Sequence, residues 1–198
     1  WWRGGERERR FRLAWGWTIV VVKAAETVYW FWPGNYTLED SWPLQLCDLA
    51  AVTAAVSMLT QWRLSRTMLY FWGIGLSTQA YFTPVLTEGF SHPKFWFFWV
   101  GHTQIIGSAI YDIVVRGYRP GLRDLLTAVG VTGVYAVLIS AVNLPFGFNY
   151  GYLGNVLPEN PTLLDHLGPW PGRAFVLMGI VLADFLVVWA VWPLGAGL

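Results

Sequence analysis

Six runs of about twenty mostly apolar residues, at 13–32, 44–62, 68–86, 95–115, 122–144 and 174–192, leave this chain few ways to fold. At ~1.5 Å per helical residue each run matches the ~30 Å hydrocarbon core of a bilayer. Composition agrees. Charged residues make up 13% of the chain, about half the roughly 25% usual in soluble domains, and hydrophobic residues make up 55%. The expectation is an all-α, polytopic transmembrane bundle and an integral protein of the cell membrane. No nucleic-acid partner is expected. One cysteine excludes an intrachain disulfide and a multi-cysteine metal site.

The charges are segregated. Residues 1–12 carry five arginines and two glutamates and read as a solvated basic arm; residues 13–198 read as a single transmembrane domain. Ten arginines fall in that arm and in the 63–66 and 116–123 turns, against Lys94 and Arg173 on the opposite side. The positive-inside rule therefore places the arm in the cytoplasm and the 33–43, 87–94 and 145–173 loops outside. The last of these holds five prolines and five glycines among aromatic residues and reads as a folded outer cap, with a helical turn around Leu163–His166. Lys23 and Glu26 sit three apart within the first run, a spacing that lets them neutralise each other. Ala50, Ala51, Ala54, Ala55 and Ser57 give the second run a small-residue face for close helix packing.

With this orientation the second and fourth runs both start at the outer face. Cys47 and His102 then lie about 5 and 11 Å deep, in one leaflet, beneath the cap. A thiol and an imidazole in one leaflet form a candidate nucleophile and base. The plain alternative is that Cys47 packs as a small hydrophobe. An ionisable histidine within a span is harder to assign to packing. Asp48 points about 100° away from Cys47 and either orients the histidine or caps its own helix. Gln79, Gln104, Asp112 and Asp184 read as interhelical hydrogen-bonding groups, with Asp112 reaching water beside Arg116. His92, His102 and His166 match no zinc spacing, so neither a metal nor a cofactor is expected. Asn35-Tyr36-Thr37 fits a glycosylation sequon on an outer loop.

Several short pieces occur together in order: Leu44-Gln45-Leu46-Cys47-Asp48, Leu69-Tyr70-Phe71-Trp72-Gly73, Gln79-Ala80, Thr83-Pro84, Gly101-His102, Asn149-Tyr150, and Leu163-Leu164-Asp165-His166-Leu167-Gly168-Pro169-Trp170-Pro171. In these the chain resembles the YwaF-like bacterial integral membrane proteins, related to eukaryotic transmembrane protein 164. The resemblance implies a seven-helix fold, and so a helix upstream of Trp1. It also implies acyl transfer between phospholipids through a cysteine thioester assisted by histidine, roles that match Cys47 and His102. The family pattern often has histidine where Gln45 stands here. The resulting expectation is a lipid acyltransferase or thioesterase acting on membrane phospholipid or lysophospholipid, with Gln79, Asn149 or Tyr150 as oxyanion donors by location. The alternative is a non-enzymatic carrier or assembly partner in which Cys47 is packing. Oligomeric state is open.

Overall fold

The computed structural model describes residues 4–39, 41–155 and 166–195. Helix α1 spans Glu6–Phe31 and opens with Glu6 and Glu8, acids that suit the positive end of the helix dipole. It stops one residue before the Trp32–Pro33 step, where proline bars the preceding residue from helical geometry. Helix α2, Leu46–Thr60, follows Pro43 and ends at Gln61, which takes a left-handed conformation (φ 59°).

The third expected span is broken into pieces. Helix α3 (Arg63–Met68) runs into a π-helix (Leu69–Leu76), and helix α4 (Gln79–Phe82) ends just before Thr83-Pro84. The helical stretch thus begins at 63 rather than 68 and stops at 82. Helix α5 (Pro93–Val114) has proline in its first turn, where no amide is needed. Helix α6 (Leu122–Phe146) closes on Gly147, left-handed at φ 71°, a common helix stop. A 3₁₀ turn, Tyr150–Tyr152, and helix α7, Gly172–Gly195, complete the order. Among the described residues there is no strand.

Among the described residues, two helices are long and apolar enough to cross a bilayer: Leu122–Phe146 and Gly172–Trp192, with mean hydropathies of 2.1 and 2.5. The six-run expectation is therefore met in part. Helix α2 is apolar but has only 15 residues. Helix α1 is interrupted by Lys23 and Glu26, and α5 by His102, Gln104 and Asp112. Large apolar side chains stand exposed along α6 and α7, among them Val137, Leu138, Phe175 and Val187. A helix satisfies its own backbone, so such surfaces suit lipid.

The core lies where α2 meets α1 and α5. Ala50, Ala51, Ala54, Ala55 and Ser57 are all buried, as their spacing predicted. Gly16 of α1 lies so close to α2 that a Cβ there would stand 2.9 Å from Leu59. Ala54→Leu is therefore expected to lower stability by about 1–3 kcal/mol through overpacking, read as a lower thermal midpoint in detergent. An unchanged midpoint would mean that α1 and α2 are not held this closely.

The arginine-rich end departs from expectation. The 1–12 arm is not solvated throughout: α1 begins at Glu6, and Glu8 and Arg12 are buried. Glu8 accepts from the Tyr111 hydroxyl and pairs with Arg116 (3.3 Å), while Arg12 donates to the Met58 carbonyl. Asp112 does not reach water beside Arg116. It is 2% exposed and is held by Arg66 Nε at 3.0 and 2.8 Å. Gln104 bonds Thr18 across helices (3.4 Å). Asp184 keeps one buried oxygen without a partner, tight against Gly75 of the π-helix.

Candidate functional site at the start of α2

The local chain around Cys47 is set by two prolonged contacts. Gln45 precedes the helix in extended geometry (φ −66°, ψ 150°), and its amide donates to Asp48 Oδ2 at 3.0 Å. Asp48 therefore caps its own helix, the simpler of the two readings of that residue. Its other oxygen accepts from Lys23 of α1, which also donates to Glu26 at 2.8 Å. The Lys23–Glu26 pair expected from spacing is present, and Asp48 joins it from 25 residues away.

Cys47 is half-buried in the first turn of α2. The first amides of a helix have no partner within it. Neither the Leu46 nor the Cys47 amide finds one elsewhere among the described residues.

His102 is buried on α5, which packs against both α1 and α2. Its Nδ1 lies 2.8 Å from the Phe98 carbonyl, and its ring rests on the Phe98 ring at 4.4 Å. A carbonyl oxygen only accepts, so Nδ1 carries the proton and Nε2 is left with the lone pair. The charges of Asp48 and Lys23 fall on both Cys47 and His102. No hydrogen bond joins the two directly: the structure gives them common neighbours rather than a contact.

The 149–154 turn reaches the same place from above. Gln45 Oε1 accepts the Gly151 amide at 3.0 Å, and the Tyr135 hydroxyl donates to the Leu44 carbonyl at 2.9 Å. Gly151 has φ 62°, and a Cβ there would sit 2.8 Å from the Tyr135 hydroxyl, so only glycine fits both the conformation and the space. Buried Asn143 clamps Tyr150 twice, Nδ2 to its carbonyl (2.9 Å) and Oδ1 from its amide (3.0 Å). Asn149 Oδ1 accepts the Gly154 amide (3.0 Å), Arg173 Nη2 donates to the Gly154 carbonyl (2.7 Å), and Trp170 Nε1 donates to the Leu153 carbonyl (3.3 Å).

Two of the residues named as supporting groups thus do other work. Asn149 and Tyr150 hold the turn, with the Tyr150 hydroxyl on the Leu38 carbonyl at 3.4 Å. Gln79 is exposed at the start of α4. Sequence reasoning missed Tyr135, Asn143, Gly151 and Tyr152. Tyr152 has φ 61°, the left-handed region that side chains other than glycine and asparagine seldom adopt. Burial pushes its phenol up to about 12, with nearby Cys47 adding to the shift, so it stays protonated.

A recess beside Asp48, lined by Lys23, Glu26, Thr27, Trp30, Ser41, Trp42 and Pro43, holds about 20 Å³. That is room for one water-sized group, not for an acyl chain. Among the described residues no three His, Cys, Asp or Glu side chains gather to hold a metal. His92 starts α5, its ring accepting the Lys94 amide at 3.3 Å. Asn35 of the sequon donates to the Tyr29 carbonyl at 3.0 Å. The helical turn expected around Leu163–His166 falls mostly on 163–165, outside the described residues; His166 itself is exposed.

An all-helical chain with lipid-suited α6 and α7 and a polar cluster at one bundle end defines a helical membrane protein. The sequence profile of the TMEM164 family matches residues 1–189, so the chain belongs to the TMEM164 family. No curated protein and no solved structure matches it.

Proposed function

We propose that this protein is a multi-pass enzyme of the cell membrane, a lipid acyltransferase or thioesterase working through Cys47 and His102 near the outer leaflet. The single observation carrying the reading is the contact between His102 Nδ1 and the Phe98 carbonyl, from which the tautomer follows. The ring's Nδ1–H is committed to that carbonyl at 2.8 Å, which leaves Nε2 as a base in the same charged neighbourhood as the only thiol. Family membership and the ten-to-two asymmetry of basic residues support the setting and the orientation.

The chemistry is acyl transfer. Cys47 Sγ gives its proton to His102 Nε2, directly or through one water, as sulfur bonds to the ester carbonyl carbon. The tetrahedral intermediate collapses, the ester C–O bond breaks, and His102 returns the proton to the leaving lysophospholipid oxygen. A second lysophospholipid hydroxyl, or water in a thioesterase, then gives its proton to His102 as its oxygen bonds to the thioester carbon, the C–S bond breaks, and the proton returns to Cys47 Sγ. The unpartnered Leu46 and Cys47 amides are available to the developing oxyanion.

The test is transfer of a radiolabelled acyl chain from phospholipid to lysophospholipid by the protein in nanodiscs. Cys47→Ser is expected to abolish exchange, and His102→Ala to lower it by about 10²–10⁴. Exchange at wild-type rate in Cys47→Ser sinks the proposal. The rival reading, a non-enzymatic carrier, draws on Asp184, whose buried oxygen has no partner on α7. Solute counterflow in vesicles that depends on Asp184 and not on Cys47 would favour that rival.

A further inference from the structure

The turn at 149–154 is held by more contacts than closing a chain requires. Asn143, Gln45, Arg173, Trp170 and Asn149 each hydrogen-bond to its backbone. Gly154 is packed so closely on the Phe148 carbonyl that a Cβ has no place there. Within this frame Tyr152 is kept at φ 61°. Left-handed geometry in a residue with a side chain persists only where the surroundings over-determine it, and such residues cluster at functional sites.

The frame is tied to the chain just before the nucleophile. The Gln45–Gly151 hydrogen bond fixes the residue before Tyr152 against the residue two before Cys47. Tyr135 touches both Gly151 and the Leu44 carbonyl. Of the two phenols near Cys47, that of Tyr135 is spent on Leu44, whereas the Tyr152 hydroxyl has no hydrogen-bond partner among the described residues.

We infer that Tyr152 is a further catalytic residue, its hydroxyl donating a hydrogen bond to the substrate carbonyl oxygen as Cys47 attacks. This inference rests on the acyl-transfer reading above. In the step, the sulfur–carbon bond forms, the carbonyl π pair moves onto oxygen, and the Tyr152 O–H donates to that oxyanion without giving up its proton. When the pair returns, the C–O bond to the leaving alcohol breaks, and the alcohol takes its proton from His102. Tyr152 is then positioned for the reverse geometry at the thioester.

Two probes separate the outcomes, applied to the full chain in nanodiscs. Iodoacetamide alkylates a thiol with no oxyanion to stabilise; p-nitrophenyl decanoate acylates it through one. Tyr152→Phe keeps the ring and removes only the hydroxyl. It is expected to leave Cys47 alkylation within about threefold of wild type while slowing p-nitrophenol release by about 10²–10³. A variant acylated as fast as wild type overturns the role of Tyr152 and leaves that of Cys47 standing. Loss of alkylation and acylation together would also overturn it, since the hydroxyl would then act on the thiol or the fold. Wild type that is alkylated but never acylated overturns the parent reading, and this inference with it. The Cys47→Ser control assigns the released p-nitrophenol to the thiol.

Discussion

Replacing Asp112 by leucine is expected to destabilise the protein by about 3–5 kcal/mol, because it removes the buried acid that pairs the half-buried Arg66 guanidinium. Asp112 is 2% exposed and receives Arg66 Nε on both oxygens. Around it, Arg66 lies over the Tyr118 ring at 5.0 Å, the Tyr118 hydroxyl meets Thr67 at 2.9 Å, and Thr67 donates to Asp124 at 3.0 Å. Asp124 in turn takes Arg63 at 3.1 and 2.6 Å. One lost carboxylate thus loosens the junction of α3, α5 and α6. Arg66→Met should cost a similar amount by leaving Asp112 unpaired. The double variant, Asp112→Leu with Arg66→Met, should recover most of the loss, since removing both charges also removes the desolvation penalty. Chemical unfolding of the four proteins in detergent gives the cycle. Costs that simply add would show that the pair is not coupled.

Asn143→Leu is expected to have the second-largest effect, about 2–4 kcal/mol, and to act on the site as well as on the fold. The side chain is fully buried and pairs with both backbone groups of Tyr150. Leucine fills a similar volume but leaves the Tyr150 N–H unsatisfied, at about 1–3 kcal/mol, and its carbonyl with only the Leu153 amide at 3.3 Å. The 149–154 turn should then loosen, and hydrogen exchange at Gly151 and Gly154 should rise well before the helices open. Protection at those amides equal to wild type would mean that the other contacts hold the turn without Asn143.

The membrane class of this chain was legible because it depends on length and apolar content, which are local. The small-residue face of α2 and the Lys23–Glu26 pair were legible for the same reason: residues three and four apart share a helical face. Asp48 as a cap was readable from its place three residues into α2.

Burial of charge was not legible. Arginine and glutamate near a chain end are usually solvated. Glu8 and Arg12 are buried because Tyr111, Arg116 and the Met58 carbonyl come to them from 46 to 108 residues away. The broken third helix was also missed, since Gly73 and Gly75 are tolerated in a membrane helix and do not announce a π-helix.

At the candidate site, the sequence singled out Cys47 and His102 by residue type and position within apolar runs, but it could not choose which polar groups lie beside them. Asn149, Tyr150 and Gln79 were equally plausible by position. The structure commits the first two to holding the turn and leaves the third exposed on α4. Tyr152 gave no signal, because a left-handed φ at a tyrosine is imposed by the clamps around it rather than by its own preference. Sequence alone therefore determined the membrane setting and the helical class, both of which follow from nearest-neighbour patterns along the chain. Only the tertiary structure decided which side chains meet, because Gln45 and Gly151 lie 106 residues apart and no local pattern records a contact at that separation.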